Sequence, residues 1–211
     1  MTGKRADREE QIGREERYSD LPGASGSDNN CRMGGERKVI LYIAASLDGY
    51  IAGPDDNLAF LSLVRQEGED YGYKDFLRSV DTVIMGRKTY DWVMTQIQEF
   101  PHSDKETFII THNERASMGR TSFYTGPLKE LIERLKSRQG KNIFIDGGAV
   151  IVNELLKDKL IDEFIISVIP FLAGEGTRLF RDGRPEQVLE LVSSEKFPAG
   201  LVQLHYRVAE R

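Results

Sequence analysis

Two short glycine-containing turns, each entered from an apolar segment and left through a helical one, place the strongest constraint on the fold of this chain. They are Val83–Thr89 (VIMGRKT) and Ile143–Ala149 (IFIDGGA). A helix N-terminus presents unpaired N–H groups and about half a positive charge, and a neighbouring glycine lets an anion approach the backbone. Two such turns in one domain predict a ligand with several phosphates, bound across the carboxyl ends of neighbouring strands in an α/β sheet.

Composition narrows the classes of partner. The formal net charge of −5 over 211 residues gives no general attraction to polyanions, so nucleic acid is not an expected partner and phosphate binding must be local. One cysteine, Cys31, and three histidines favour neither a disulfide nor a metal cluster. No apolar stretch approaches the roughly eighteen residues of a membrane helix. We therefore expect a cytoplasmic, metal-free protein that acts on a small molecule.

The chain divides by composition into two parts. Residues 1–36 are rich in charged and small polar residues and are predicted to form a disordered tail. Met33 stands just before the first apolar segment, so Met1 and Met33 both stay open as the start of translation. Residues 37–211 carry short apolar runs separated by helical segments and are predicted to form one domain.

The pattern predicts strands and helices that alternate, as in a parallel sheet covered on both faces. The expected strands are Val39–Ser46, Thr82–Met85, Thr107–Thr111, Ser122–Thr125, Asn142–Ile145, Glu163–Ile169, Gln187–Ser194 and Val202–Val208. The expected helices are Asp70–Ser79, Lys88–Ile97, Leu128–Arg138 and Ala149–Lys157. Because only a short turn joins the last two strands, they should pair antiparallel. The prediction is a three-layer α/β fold with a mostly parallel central sheet and an antiparallel C-terminal hairpin.

Each motif taken alone also has a plain structural explanation. In the first turn, Thr89 is expected to cap the helix while Arg87 and Lys88 supply charge for a phosphate, but the turn can also be a solvated strand-to-helix connection. The paired glycines of the second can serve packing alone. Two further segments lie at strand ends: Asp48 and Gly49 follow the first strand, and a glycine-rich loop follows the strand that ends at Pro170. Neither the P-loop spacing nor the Gly-x-Gly-x-x-Gly fingerprint occurs, which disfavours a standard Rossmann domain.

Taken together and in order, the segments SLDGYIAG, VIMGRKTY, IFIDGGAVIVNELL and DEFIISVIPFLAGEG resemble the dihydrofolate reductase superfamily. More closely, they resemble the reductase domain at the C-terminus of riboflavin-biosynthesis proteins and its stand-alone bacterial relatives. The resemblance covers nearly all of the predicted domain and none of the tail. It implies a dihydrofolate reductase-like fold.

The resemblance also implies that NADPH binds across the carboxyl ends of the strands. Arg87 would favour the cofactor's 2′-phosphate. The implied contacts are Ala45 and Ile51 at the nicotinamide; Gly86, Arg87, Lys88 and Thr89 at the adenosine-side phosphates; Thr111, His112 and Asn113 at the adenosine; and Gly147, Gly148, Ala149 and Val150 at the pyrophosphate.

The implied chemistry is hydride transfer to a C=N or C=O carbon of a small pteridine-like or pyrimidine-like heterocycle, with a proton delivered to the neighbouring atom. Asp48 ranks first as the residue that binds substrate or relays the proton, with Asp56 and Asp75 as alternatives. Ser167 falls where a strand supports the substrate in folate enzymes. The only tryptophan, Trp92, is expected to anchor a helix in the core.

Three hypotheses follow. The preferred one is an NADPH-dependent reductase similar to 5-amino-6-(5-phosphoribosylamino)uracil reductase. The second is a nucleotide-binding or ligand-binding module that keeps the fold without turnover, since a fold does not fix an activity. The third is a structural protein that assembles through its sheet edge. A homodimer is compatible with each of them.

Overall fold

An eight-stranded sheet forms the centre of the molecule in a computed structural model that describes residues 36–209. Its helices pack on both faces. The predicted tail, apart from Glu36, lies outside the described residues, and so do Cys31 and Met33. The predictions for that part of the chain stay predictions.

The helices and strands follow the predicted order. The strands are β1 (Val39–Ser46), β2 (Tyr50–Ala52), β3 (Val80–Gly86), β4 (Glu106–Ile110), β5 (Thr121–Tyr124), β6 (Asn142–Gly147), β7 (Glu163–Ile169), β8 (Thr177–Arg178), β9 (Leu189–Lys196) and β10 (Val202–Val208). The α-helices are α1 (Tyr73–Arg78), α2 (Arg87–Gln96), α3 (Leu128–Lys136) and α4 (Ala149–Lys157). Two short 3₁₀ segments, Pro54–Asp56 and Ala59–Val64, lie between β2 and α1.

The large sheet has the strand order β5-β4-β3-β6-β1-β7-β10-β9. The six strands from β5 to β7 run parallel, and β10 is antiparallel to both β7 and β9. This confirms the predicted α/β fold with a mostly parallel sheet and an antiparallel C-terminal hairpin. Strands β2 and β8 form a separate two-stranded sheet that the sequence did not predict.

The alternating side chains of β1 explain why helices cover both faces of the sheet and form a three-layer fold. Val39 and Leu41 are fully buried in a core cluster with residues of α3 and α4. Ile40 lies in a second cluster on the opposite face with residues of α1 and α2. Since successive side chains of a strand point to opposite faces, a strand that is apolar at every position must be covered on both sides.

Two helical expectations need correction. Trp92 is 42% exposed and does not anchor α2, which buries Tyr90 instead; two positions along a helix turn a side chain to almost the opposite face. Helix α1 begins at Tyr73 rather than at Asp70, because Tyr71 and Gly72 adopt positive φ angles of 57° and 77°.

Candidate active site

The two glycine turns lie in contact at the carboxyl edge of the sheet. They end β3 and β6, which are adjacent and parallel, with Met85 paired to Gly147. A Cβ atom placed on Gly148 would lie 3.8 Å from the Cα atom of Gly86 and 3.4 Å from Oγ1 of Thr89. The turns that the sequence singled out 60 residues apart along the chain therefore share one site.

Both helices that start at these turns lack a side-chain cap. Gly86 is the N-cap of α2 and Gly148 that of α4, and neither helix start has a hydrogen bond from a capping side chain. The first N–H groups of a helix have no acceptor within the helix, so an anion can bind them. The expectation that Thr89 caps α2 is wrong, because Thr89 lies inside the helix and its hydroxyl is close to Gly148.

The charged residues of the first turn differ in their surroundings. Arg87 is partly buried, and its Nε donates a hydrogen bond to the carboxylate of Asp91, one turn along α2. Lys88 is exposed and has no ion-pair partner among residues 36–209. Both remain close enough in the chain to Gly86 to add positive charge at this helix N-terminus.

The remaining residues predicted to contact the cofactor lie on the strands and helix that end or begin at the same edge. Thr111 follows β4, the neighbour of β3, and its Oγ1 accepts a hydrogen bond of 3.2 Å from the N–H of Asn113. His112 and Asn113 are exposed. In α4, Ala149 is buried, whereas Val150 is 63% exposed.

The prediction for the nicotinamide end involves β1 and β2. Ala45 is buried near the end of β1, and Ile51 of β2 packs against the same core cluster. The predicted cofactor contacts therefore lie on or next to β4, β3, β6 and β1. These four strands are consecutive neighbours in the sheet.

Asp48 holds two loops together. Its Oδ1 accepts hydrogen bonds from the Ser46 hydroxyl at 2.6 Å and the Ala173 N–H at 3.0 Å, and its Oδ2 accepts one from the Gly174 N–H at 2.7 Å. The Ser46 hydroxyl and these backbone N–H groups lower the pKa of Asp48 from 3.8 to about 2. These bonds tie the loop after β1 to the loop after β7. The role of Asp48 in binding substrate or relaying the proton stays a prediction.

The two alternative carboxylates lie on the surface. Asp56 is exposed in the short 3₁₀ segment before Asn57, with a φ of 58°. Asp75 is also exposed and forms an ion pair with Arg78 within α1. Neither borders the cavity that lies against the α1 face of the sheet.

A cavity of about 520 Å³ lies against the face of the sheet that carries α1. Ser167 borders it, and its predicted place near the substrate stays a prediction. Its side chain is buried on β7, between Ala44 of β1 and Gln203 of β10. The apolar lining residues are Ala44, Leu61, Val64, Ile169 and Leu201.

A hydrogen-bonded cluster forms one wall of this cavity. Nε2 of Gln203 lies within hydrogen-bonding distance of the Tyr42 hydroxyl (2.9 Å), the Ser167 hydroxyl (3.2 Å) and the Tyr71 carbonyl (3.1 Å). The Tyr42 hydroxyl in turn donates to the Tyr71 carbonyl at 2.8 Å. Burial raises the pKa of Tyr42, so its phenol stays neutral at physiological pH.

Sequence reasoning missed this cluster and a second one beside it. Nε2 of buried His102 lies 3.3 Å from Oδ2 of Asp146, the residue that precedes the paired glycines. Burial raises the pKa of Tyr73, and the negative charge of Asp146 adds to the rise. The available signals were the tyrosine at position 42, which alternation places on the same sheet face as Ala44, and the acidic residue next to Gly147.

The model of the RibD C-terminal domain family matches residues 37–203. The chain belongs to this family. It is 42% identical over 172 residues to the uncharacterised protein YwjB of Bacillus subtilis (strain 168), which covers 81% of this chain and 98% of that protein. A crystal structure of a protein from Shewanella sp. PV-4, provisionally assigned to riboflavin biosynthesis, is 31% identical with a TM-score of 0.75. That match covers 82% of this chain and 99% of the other.

The fold of this chain is also similar to that of dihydrofolate reductase. The Enterococcus faecalis enzyme, in a structure complexed with NADP(H), has a TM-score of 0.56 and 16% identity, over 83% of this chain and 98% of that one. Membership of the RibD C-terminal domain family supports a reductase-like role for the domain. Within residues 36–209, no helix has the length and apolar character needed to cross a membrane.

Proposed function

We propose that the chain is an NADPH-dependent reductase that transfers a hydride to a small heterocyclic substrate. The observation that carries the proposal is the contact between two glycine turns, each of which starts a helix without a side-chain cap. One dinucleotide pyrophosphate can accept hydrogen bonds from both helix N-termini at this point.

The residues present fit such a cofactor. Gly148 has a φ of 85°, which side-chain-bearing residues rarely adopt, and a Cβ there would occupy the space between the turns. The exposed Lys88 and the partly buried Arg87 provide positive charge for a 2′-phosphate. This charge supports a preference for NADPH over NADH.

When bound, NADPH supplies the hydride, and the chain has to position the acceptor and a proton. The cavity beside Ser167 provides apolar surface against which a heterocycle can pack. Ser167 and Tyr73 keep their protons at neutral pH and can donate hydrogen bonds to the atom that becomes basic on reduction. Asp48 would contribute by fixing the loop after β1 to the loop after β7.

The proposal is tested by adding NADPH or NADH to the full chain and measuring the melting temperature. Binding to the folded state alone raises the melting temperature, by an amount that grows with the logarithm of the ligand concentration divided by Kd. We expect a clear increase with NADPH and a smaller one with NADH at the same concentration. No increase with saturating NADPH would remove the basis for the reductase.

One observation favours the second candidate, a nucleotide-binding module without turnover. The carboxylate that ranked first as proton relay is fully engaged by Ser46, Ala173 and Gly174. The module predicts that NADPH binds but is oxidised with none of the pteridines and pyrimidines offered. The reductase hypothesis predicts that NADPH is oxidised with at least one of these compounds. The loss of NADPH absorbance measures this oxidation.

A further inference from the structure

We propose that the substrate of this cavity is an uncharged heterocycle without a phosphate group, which presents a hydrogen-bond acceptor to Ser167. The proposal rests on the proposed function and names the class of substrate. It departs from the phosphoribosyl substrate that the resemblance to 5-amino-6-(5-phosphoribosylamino)uracil reductase implies.

The charges around the cavity disfavour a phosphate. Its charged lining residues are Arg65, Glu69 and Asp70, which place two carboxylates beside one guanidinium. The same excess of negative charge extends along residues 62–75, which contain two basic and four acidic residues. A phosphate group carries about 1.5 to 2 negative charges at neutral pH and is destabilised next to aspartate or glutamate.

The backbone donors that a phosphate would use at the cavity rim are already taken. The N–H of Gly72 donates to Oδ1 of Asp70 at 3.1 Å, and that of Lys74 donates to Oδ2 at 3.4 Å. The N–H of Tyr71 donates to Oε1 of Glu69 at 2.8 Å. These bonds orient both carboxylates at the rim of the cavity.

The basic residues of the rim do not offset this. Nζ of Lys74 lies 3.8 Å from Oδ2 of Asp70, so its charge is already matched by a carboxylate. Arg65 is exposed and forms no side-chain hydrogen bond or ion pair within residues 36–209. A phosphate bound by Arg65 alone would gain little, because one solvent-exposed ion pair contributes at most about 1 kcal/mol.

The inner wall suits a neutral ring. The Ser167 hydroxyl accepts a hydrogen bond from Gln203 and also interacts with the Tyr42 hydroxyl. Because Ser167 borders the cavity, a ring carbonyl or ring nitrogen placed there would compete with Tyr42 for the Ser167 hydrogen. Tyr42 and Tyr73, with ring centroids 5.5 Å apart, give an aromatic side wall, and burial raises the pKa of both so that they stay uncharged.

Size is compatible with such a ligand. The cavity of about 520 Å³ falls within the range of small-molecule sites, about 300–1,000 Å³. A one-ring or two-ring heterocycle fits this volume without an arm that extends past Glu69 and Asp70.

A matched pair of substrates tests the proposal. 5-Amino-6-(5-phosphoribosylamino)uracil and its dephosphorylated form differ only in the phosphate, and kcat/KM for each is measured with saturating NADPH. We expect the dephosphorylated compound to have a kcat/KM at least about tenfold higher, which corresponds to about 1.4 kcal/mol. An equal or higher value for the phosphorylated compound would overturn the proposal.

A pair of variants tests the cause. Glu69→Gln removes a carboxylate that borders the cavity, whereas Glu67→Gln removes one from the same segment that does not. We expect Glu69→Gln to lower KM for the phosphorylated compound about threefold or more and leave KM for the dephosphorylated one unchanged, with less than about twofold effects for Glu67→Gln. Equal effects of the two variants would contradict the assignment of selectivity to this cavity.

Binding measurements separate this proposal from the proposed function. Calorimetric titration of the two uracil compounds needs neither NADPH nor turnover. If NADPH does not bind, the reductase fails, but tighter binding of the dephosphorylated compound still supports the neutral cavity. If both compounds bind equally, or neither binds at millimolar concentration, the inference about the substrate fails even where NADPH is bound and oxidised.

Discussion

Replacing Gly148 by alanine tests whether the two glycine turns grip one phosphorylated ligand. Gly148 begins α4 with a φ of 85°, and an added methyl group would lie 3.4 Å from Oγ1 of Thr89 and 3.8 Å from Cα of Gly86. The backbone could accept the methyl group only with strain. The methyl group itself would stand in the space through which a phosphate reaches the helix N–H groups.

The expected loss of affinity follows from the hydrogen bonds that the methyl group would displace. A hydrogen bond to a charged group contributes about 1.5 to 3 kcal/mol, and about 1.4 kcal/mol corresponds to a tenfold change in Kd. Loss of one phosphate hydrogen bond should therefore weaken NADPH binding about 10- to 100-fold. The positive φ adds a separate folding cost of about 1 to 3 kcal/mol.

Gly68→Ala is the matched control. Gly68 has a φ of 81°, and an added Cβ would meet nothing within 4 Å, so this variant carries the backbone cost without changing the turns. Urea unfolding measures stability, and titration with NADPH followed by fluorescence measures Kd. Both variants should lose similar stability, but only Gly148→Ala should lose affinity. A Kd for Gly148→Ala within twofold of that for Gly68→Ala would refute the shared phosphate site.

Three further outcomes are expected. Asp48→Asn should lower the melting temperature at neutral pH. The difference in melting temperature from the wild type should shrink as pH falls from about 4 through about 2, because the pKa of the folded carboxyl is about 2 against 3.8 unperturbed. A difference that is constant with pH would contradict the loop contact. Arg87→Gln should raise KM for NADPH more than for NADH in steady-state assays, and equal increases would exclude contact with the 2′-phosphate. Ser167→Ala should raise KM for the substrate about tenfold while Kd for NADPH is unchanged, since the lost donor lies in the cavity and away from the glycine turns; a parallel loss of NADPH affinity would point to a general structural defect.

The parts of the fold that the sequence predicted have strong local patterns. Strands β1 and β7 are mostly apolar runs, and their bounds match the prediction. Helix α3 repeats leucine and isoleucine at the spacing of one helix face, and those residues are buried. Patterns of this kind persist because one stretch of chain determines which face must be covered.

The missed elements depend on contacts between distant parts of the chain. Strands β2 and β8 span three residues and two residues, too short for any alternation to be recognised. Antiparallel backbone pairing joins them, and the backbones lie so close that a Cβ on Gly176 would collide with the carbonyl oxygen of Ala52. The same reason explains why the surroundings of Asp48 were not foreseen, since two of its partners are N–H groups 125 and 126 residues away.

The wall of the cavity could not be predicted without knowing the order of the strands. Tyr42, Ser167 and Gln203 belong to β1, β7 and β10, which are neighbours only because β10 returns antiparallel beside β7. The sequence predicted that β10 pairs with β9 but contained no signal for its other neighbour. Of this cluster, only Ser167 was predicted as a functional residue.

Charge is distributed unevenly along the candidate site, and this bears on how a chain with a net charge of −5 could select a phosphorylated cofactor. The glycine turns offer two uncapped helix N-termini together with Arg87 and Lys88. The cavity has Glu69 and Asp70 at its rim instead, and neutral hydroxyl groups on its inner wall. A dinucleotide placed in the proposed orientation has its phosphates at the positive end and its uncharged ring towards the cavity, and the reverse orientation would bring phosphates against carboxylates. If both proposals hold, the asymmetry that favours one direction of the cofactor would also disfavour a phosphorylated substrate, so one distribution of charge would account for both.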